Sequence, residues 1–198
     1  GGTIANALNA DMRNVQNVAF KNNLTVKSIE VNDLMARFGE YIKPVTPLNR
    51  ELASLHKCLF GRINIQSTLS GSGGTVDDIV KGLAGNIGVQ MASGRIENAP
   101  AAKVASSSFA SFLKTSKVGD FSVINFRDLG ATIKLANGAA LFENLRIMSD
   151  VADWEAKGRV GFDAIMDMTV SSRLSREISG RLLAAEGAVK GGLKNVLG

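Results

Sequence analysis

Leu129-Gly130-Ala131-Thr132-Ile133-Lys134-Leu135 alternates apolar and polar residues, and three further stretches with the same habit follow before Leu174. Side chains on a strand point alternately to the two faces of a sheet, so Leu129, Ala131, Ile133 and Leu135 share one face and Thr132 and Lys134 the other. After the turn signal Ala136-Asn137-Gly138 the chain returns with Leu141, Leu145 and Ile147 on one side. Asp150 and Asp153 mark the next turn, after which Trp154, Ala156, Gly158, Val160 and Phe162 alternate with Glu155, Lys157 and Arg159. Asp163-Ala164 turns the chain into Met166, Met168, Val170 and Leu174, opposite Asp167, Thr169, Ser171 and Arg173. The pattern predicts an antiparallel four-strand meander with one oily and one wet face. A one-residue slip would exchange the faces, so the register is firmly specified. Such a sheet has to cover its oily face with helices, a partner or a ligand.

Towards the N-terminus the same reading gives shorter units. Residues 3 to 20 read as a strand or strand pair. Leu24, Val26, Ile29 and Val31 form a strand whose alternation changes phase near Lys27-Ser28, as at a bulge. Asn32 or Asp33 can cap a helix carrying Leu34, Met35, Phe38 and Ile42, and residues 49 to 58 suggest a second short helix after Pro44 and Pro47. Ile63, Ile65, Ser67 and Leu69 alternate in a strand closed by Gly71-Ser72-Gly73-Gly74. Thr75 then caps a helix with Asp77 and Asp78 in its positive first turn, a stripe of Ile79, Val80 and Leu83, and Gly85 as its stop. Ile87, Val89 and Met91 begin a strand that runs to Gly94-Arg95-Ile96. A helix is expected over 101–115 with Val104, Phe109, Phe112 and Leu113 inward, and residues 116–128 connect it to the meander. The tail, 175–198, carries Ile178, Leu182, Val189, Leu193 and Val196 at helical spacing. Gly180, Gly187, Gly191 and Gly192 weaken it, so it should be helical only while docked. The expected class is α+β: a curved, mainly antiparallel sheet with amphipathic helices on its apolar face, ending in the meander and a helix.

Composition excludes several functions. With 198 residues, 45% of them hydrophobic and 21% charged, the chain has material for a sizeable core and is not a disordered segment. No apolar run approaches the roughly 20 residues of a membrane-spanning helix. The opening Gly1-Gly2-Thr3 reads like the cut end of a larger protein. A formal charge of +5 invites a nucleic-acid reading, yet Lys and Arg never adjoin one another, and one Tyr, one Trp and nine Phe are not interleaved with basic clusters. Nucleic acid is therefore not an expected partner. The single cysteine, Cys58, cannot form an internal disulfide.

Chemistry-bearing constellations are scarce. His56 and Cys58, the only residues of their kinds, lie two apart, and on a helix such positions point in different directions. One His and one Cys also fall short of the four ligands zinc needs. Gly71-Ser72-Gly73-Gly74-Thr75 precedes a helix but lacks the Gly-Lys-Ser/Thr ending of a phosphate loop, and Asp77-Asp78 would repel a phosphate. Arg176, Arg181, Lys190 and Lys194 could set the tail on an anionic membrane, although docking over the sheet uses the same apolar stripe. Met91, Met148, Met166 and Met168 suit a surface that adapts to acyl chains, and equally fill cores. No catalytic, cofactor or metal site is expected, and the chain does not read as an enzyme.

One sequence of motifs runs through the chain: Thr75-x-Asp77-Asp78-Ile79; Leu83-Ala84-Gly85-Asn86; Ser93-Gly94-Arg95-Ile96; Phe126-x-x-Leu129-x-Ala131-Thr132-Ile133; Asn137-Gly138; Leu145-Arg146-Ile147-Met148-Ser149; and Lys157-Gly158-Arg159-Val160-Gly161-Phe162-Asp163. With these, Thr75 to Leu174 resembles the C-terminal domain of AsmA-like proteins, envelope proteins of Gram-negative bacteria. Residues 1–70 fit less specifically, residues 75–174 are the best-matching core and 175–198 the closing helix, within one domain over 1–198. The motif consists of glycines, turn residues and apolar alternation, so it implies a fold and carries no catalytic residue across. The resemblance implies kinship with bridge-like lipid-transfer proteins, whose curved sheet forms a hydrophobic groove in the periplasm. It further implies a role in outer-membrane assembly or lipid homeostasis, and an inner-membrane tether outside this sequence. The short helices depart from a continuous groove.

Two functions follow. In the first, acyl chains of phospholipid or another lipid lie against Ile133, Leu135, Leu141, Leu145, Ile147, Trp154, Val160, Met166 and Met168, all expected on one face. In the second, helices seal that face and the domain is a structural or protein-interaction module meeting other envelope proteins. A hydrolase would need a polar cluster in a cleft, and His56→Ala would test it.

Overall fold

A computed structural model describes residues 1–14, 16–41, 57–97, 123–163 and 165–180, with the side chains of the first helix described as far as Ala36. Its elements are β1 (Thr3–Asp11), β2 (Val18–Glu30), α1 (Val31–Tyr41), β3 (Leu59–Gly73), α2 (Val76–Lys81), β4 (Ala84–Met91), β5 (Gly94–Glu97), β6 (Val123–Ala136), β7 (Ala139–Ser149), β8 (Ala152–Gly161) and β9 (Met166–Leu174). A helical turn over 176–180 follows. All nine strands form one sheet in the order β1-β2-β3-β4-β6-β7-β8-β9, and β5 extends the line of β4 between β3 and β6. Every pairing is antiparallel. Among the described residues strand predominates and helix is sparse, so the protein is mostly antiparallel β-sheet with a few short helices. The helices expected at 49–58 and 101–115, and most of the 175–198 tail, lie outside the described residues.

The expected meander is present as β6 to β9. Asn137 (φ 51°) and Gly138 (φ 67°) make a two-residue turn with both residues left-handed, the geometry that suits the twist of a hairpin. The next turn is tighter than expected. Asp153 already lies in β8 opposite Met148, and the bend falls at Asp150-Val151. Buried Ser149 clasps it: its hydroxyl donates to the Ala152 carbonyl (2.5 Å) and accepts from the Ala152 N–H (2.9 Å). Phe162 is past the end of β8, where its N–H donates to the Gly138 carbonyl at 2.9 Å.

Register shows how one face stays apolar across the whole sheet. Directly opposed residues share a face. The row Ile4–Val26–Ile65–Val89–Ala131–Leu145–Ala156–Val170 therefore crosses from β1 to β9 on one side. The row Ala5–Thr25–Gln66–Gly88–Thr132–Asn144 crosses β1 to β7 on the other. Three strands change phase once, each by an apolar step of three: Val26 to Ile29 in β2, Phe126 to Leu129 in β6 and Phe142 to Leu145 in β7. Each inserts one extra residue, a bulge that bends its strand. The break between β4 and β5 makes the same step from Met91 to Gly94, and with the bulges of β2 and β6 it marks a crease through the sheet. Ser28, left-handed at φ 55°, belongs to it, and its N–H donates to Asn64 Oδ1 at 3.0 Å.

The core sits beside that crease. Val31 and Leu34 of α1 cluster with Ile63, Met91 and Phe126, and Ile29, Leu59, Ile65, Ile96, Leu129 and Ile147 pack around them. Met91 is 0% and Val31 1% exposed. Burial of Val31 explains why α1 begins there and not after a cap at Asn32 or Asp33: the chain must turn as soon as β2 ends to put that side chain inside. Asp33 instead occupies the first turn, where its charge suits the helix dipole. The helix after β3 departs further from expectation. None of its residues is buried, Val76 is 78% and Val80 40% exposed, and Ile79 is half-buried. It is a connection at the end of β3, six residues long and capped by Gly82. Gly85, the expected stop, is a strand residue at φ +146°; a Cβ there would lie 2.0 Å from the Thr68 carbonyl oxygen. β3 also runs on to Gly73, and β6 starts at Val123 inside the segment expected to be a connection.

Candidate functional site

Eight of the nine residues expected to face lipid lie on the apolar face. Ile133 is opposite Ile87 and Phe142, Leu135 opposite Ala140, Leu145 opposite Ala131 and Ala156, and Ile147 opposite Leu129 and Trp154. Val160 is opposite Met166, and Met168 opposite Gly158. Leu141 is the exception. It pairs with Lys134 and Arg159 on the wet face and is 43% exposed. The bulge at Glu143 is the reason: it reverses the phase of β7, so that Phe142 takes the apolar place.

The face extends well beyond these residues. On β1 to β4 it includes Ile4, Leu8, Phe20, Leu24, Leu69 and Ile87 as well; residues 3 to 20 show no regular alternation in the sequence, so the places of Ile4, Leu8 and Phe20 follow from the pairing. Its burial is graded. Beneath α1 it is closed; through Phe20, Leu24, Ile87, Ile133, Leu145, Trp154 and Val160 it is half-buried. At the two outer strands it is open, with Leu8 63% and Met166 69% exposed. No ionisable side chain stands in the rows through Ile133, Leu145 or Ile147, so what the face offers is apolar area. Water-to-apolar transfer contributes about 25 cal/mol per Å² covered.

The wet face carries two hollows. A depression of about 680 Å³ lies over Gly88 and Gly130 between Lys27, Asn64, Gln66, Gln90 and Arg146. A second, of about 700 Å³, adjoins it across Asn64 and contains Phe60, Arg62 and Arg95. Neither is lined by any of the nine candidates. Three arginines here are paired: Arg146 with Asp128 at 3.1 Å, Arg62 with Glu30 at 3.0 Å, and Arg95 with Glu97, while the Arg95 guanidinium also lies 4.5 Å from the Phe60 ring centre.

The remaining candidates take structural parts. Thr75 Oγ1 accepts from the Asp78 N–H (3.2 Å) and Asp78 Oδ2 accepts from the Thr75 N–H (3.2 Å), a reciprocal capping box. Lys81 Nζ reaches Asp77 Oδ2 at 2.6 Å, and that hydrogen bond raises the lysine pKa. Among the described residues no group of three or more His, Cys, Asp or Glu could hold a metal. Cys58 is buried, and desolvation pushes its thiol pKa up, away from the thiolate a nucleophile needs. His56, Arg181, Lys190 and Lys194 lie outside the described residues. No described helix is long and apolar enough to cross a membrane.

Fold and face together define a class: a one-sheet antiparallel β-protein with a continuous apolar surface partly roofed by a helix. Compared with known proteins, the chain matches no family model, no curated protein and no solved structure.

Proposed function

We propose that this chain is an AsmA-like domain of a Gram-negative envelope protein. It is non-enzymatic, stands in the periplasm on an inner-membrane anchor outside this sequence, and serves outer-membrane assembly or lipid homeostasis. It does so by holding acyl chains, of phospholipid or another lipid, along the apolar face of a curved sheet. One observation carries the reading: the apolar row runs unbroken from Ile4 to Val170 while bulges in β2, β6 and β7 keep apolar residues on that side. Bulges bend strands, which supports curvature. Val31 and Leu34 on that face support amphipathic helices as its partial cover. The motif residues fall where backbone geometry is demanding: the cap at Thr75, the close approach at Gly85, the β4–β5 step at Ser93-Gly94, the turn at Asn137-Gly138 and the clasp at Ser149. Such positions are what a fold-specific motif would preserve.

Organic extraction of the purified protein followed by lipid mass spectrometry tests the reading. Lipid is expected with the native chain, and at least several-fold less with Ile133→Asp or Leu145→Asp. Leu141→Asp, on the wet face, should retain native loading. Absence of lipid from the native chain, or equal loss in all three variants, would refute it. The closed cluster around Met91 favours a second reading, a structural or protein-interaction module that meets other envelope proteins and binds no lipid. That reading gains if extraction recovers nothing.

A further inference from the structure

Two glycines in the middle of the wet face have no explanation in the fold. Gly88 of β4 pairs with Thr132 and Gly130 of β6 with Gln90, so the two are diagonal neighbours. Neither has a positive φ. A Cβ on Gly130 would meet nothing within 4 Å, and one on Gly88 only the Gln66 carbonyl oxygen at 3.9 Å. Gly85 and Gly158, in contrast, hold positive φ against a neighbouring carbonyl. Glycine weakens the interior of a strand, and where neither turn nor contact requires it, it marks a place that another group approaches closely. What surrounds this bare backbone is polar. The row Thr25–Gln66–Gly88–Thr132–Asn144 crosses β2 to β7 through one glycine, and Asn64–Gln90–Gly130–Arg146 crosses β3 to β7 through the other. Both rows line the first hollow, and Gln66, Gly88, Gln90, Thr132 and Asn144 are exposed in it.

We propose that this trough is a glycan-binding site, in which a neutral oligosaccharide lies across β3 to β7 over Gly88 and Gly130. Side-chain amides supply the recognition. Asn64, Gln66, Gln90 and Asn144 each carry donors and an acceptor in one plane, which adjacent sugar hydroxyls or an acetamido group answer on both sides. Asn64 is already oriented: its Oδ1 accepts from the Ser28 N–H at 3.0 Å, which leaves its Nδ2 to donate. Among the described residues no hydrogen bond engages the side chains of Gln66, Gln90 or Asn144. Charge selects against ionic ligands. Arg146, Arg62 and Arg95 are held by Asp128, Glu30 and Glu97, and across the two hollows Lys27 is offset by Asp33. A phosphate polymer needs an excess of cations, which this surface lacks. An extended peptide gains its main-chain bonds at a sheet edge and not on a face. Over the two glycines a flat sugar ring comes closer to the strands than any side chain would allow. The second hollow continues past Asn64 with Phe60 in its wall, so several linked sugar units have room. The trough lies on the side away from the apolar face, so the site goes beyond the lipid reading and does not depend on it.

Isothermal titration calorimetry of the full chain with chitotetraose and with maltotetraose tests the site. Saturable binding of either sugar is expected. Binding of chitotetraose alone supports an acetamido sugar as the ligand, and binding of both supports hydroxyls as sufficient. Gly88→Thr combined with Gly130→Thr fills the floor with side chains that strands favour and that the space admits. Affinity should then fall about tenfold or more, while circular dichroism stays native and the melting temperature holds or rises. Gln66→Ala combined with Gln90→Ala should weaken binding several-fold without touching the floor. Lys157→Ala, on the wet side of β8 and outside the trough, should leave affinity unchanged. No binding of either sugar by the native chain at millimolar concentration would overturn the proposal. So would full affinity in either double variant, an equal loss in Lys157→Ala, or binding of dextran sulfate in place of both neutral sugars.

Discussion

Leu141 and Phe142 adjoin in the sequence, and only one of them can face inward. Taken as Leu141-Leu145-Ile147 the alternation looks unbroken, and the extra residue, Glu143, is invisible until β7 is set against β6 and β8. Residue-scale energetics should follow the true face. Leu141→Gln is expected to change stability by less than about 0.5 kcal/mol, as at an exposed site. Leu135→Ala, at a position 8% exposed, should cost about 2–4 kcal/mol from lost burial and an unfilled cavity. Urea titration of both variants decides it, and equal effects would place Leu141 inside. Cys58 gives a pH-dependent counterpart. Burial raises its thiol pKa, so the native state holds the proton more tightly than the unfolded chain. The associated stability is present below the unfolded value near 9.0 and is lost as pH rises through the higher folded value. Iodoacetamide at pH 8 should accordingly label the native protein slowly and the urea-unfolded chain fast.

At the scale of elements, what could be read from sequence was what neighbours in sequence decide. The hairpin at Asn137-Gly138, the bulge at Lys27-Ser28 and the cap at Thr75 each depend on a few adjacent residues. Thr75→Ala removes the side chain that accepts from the Asp78 N–H and should cost about 1 kcal/mol, measurable by thermal or urea unfolding. A null effect would mean that α2 holds its place without its cap. Elements whose limits depend on distant partners were read less well. α1 begins at Val31 because Ile63, Met91 and Phe126 await that side chain, and α2 carries an apolar stripe of which Ile79 is only half-buried and Val80 exposed. Two of the three-residue steps, at Met91–Gly94 and Phe126–Leu129, could have been found by asking where two alternations meet out of phase.

For the whole molecule, the sheet is a line of antiparallel strands, with β4 and β5 end to end between β3 and β6, the closed core near the middle and both outer strands exposed among the described residues. Stability should therefore be graded. Native-state hydrogen exchange is expected to be slowest for amides of β3 to β6 around Met91 and Phe126, and fastest in β1 and β9. Uniform protection from edge to edge would contradict such a gradient. The sequence by itself determined that an antiparallel meander exists, which residues alternate along most of its strands and that its first turn falls at Asn137-Gly138, because pleat and turn chemistry act over two to four residues. Only the tertiary structure decided that the nine described strands join one sheet, that bulges in different strands line up as a crease, that Phe142 and not Leu141 faces inward, and that two hollows lie on the wet side. Those outcomes depend on cross-strand register and on burial against residues far along the chain, and no local pattern encodes either.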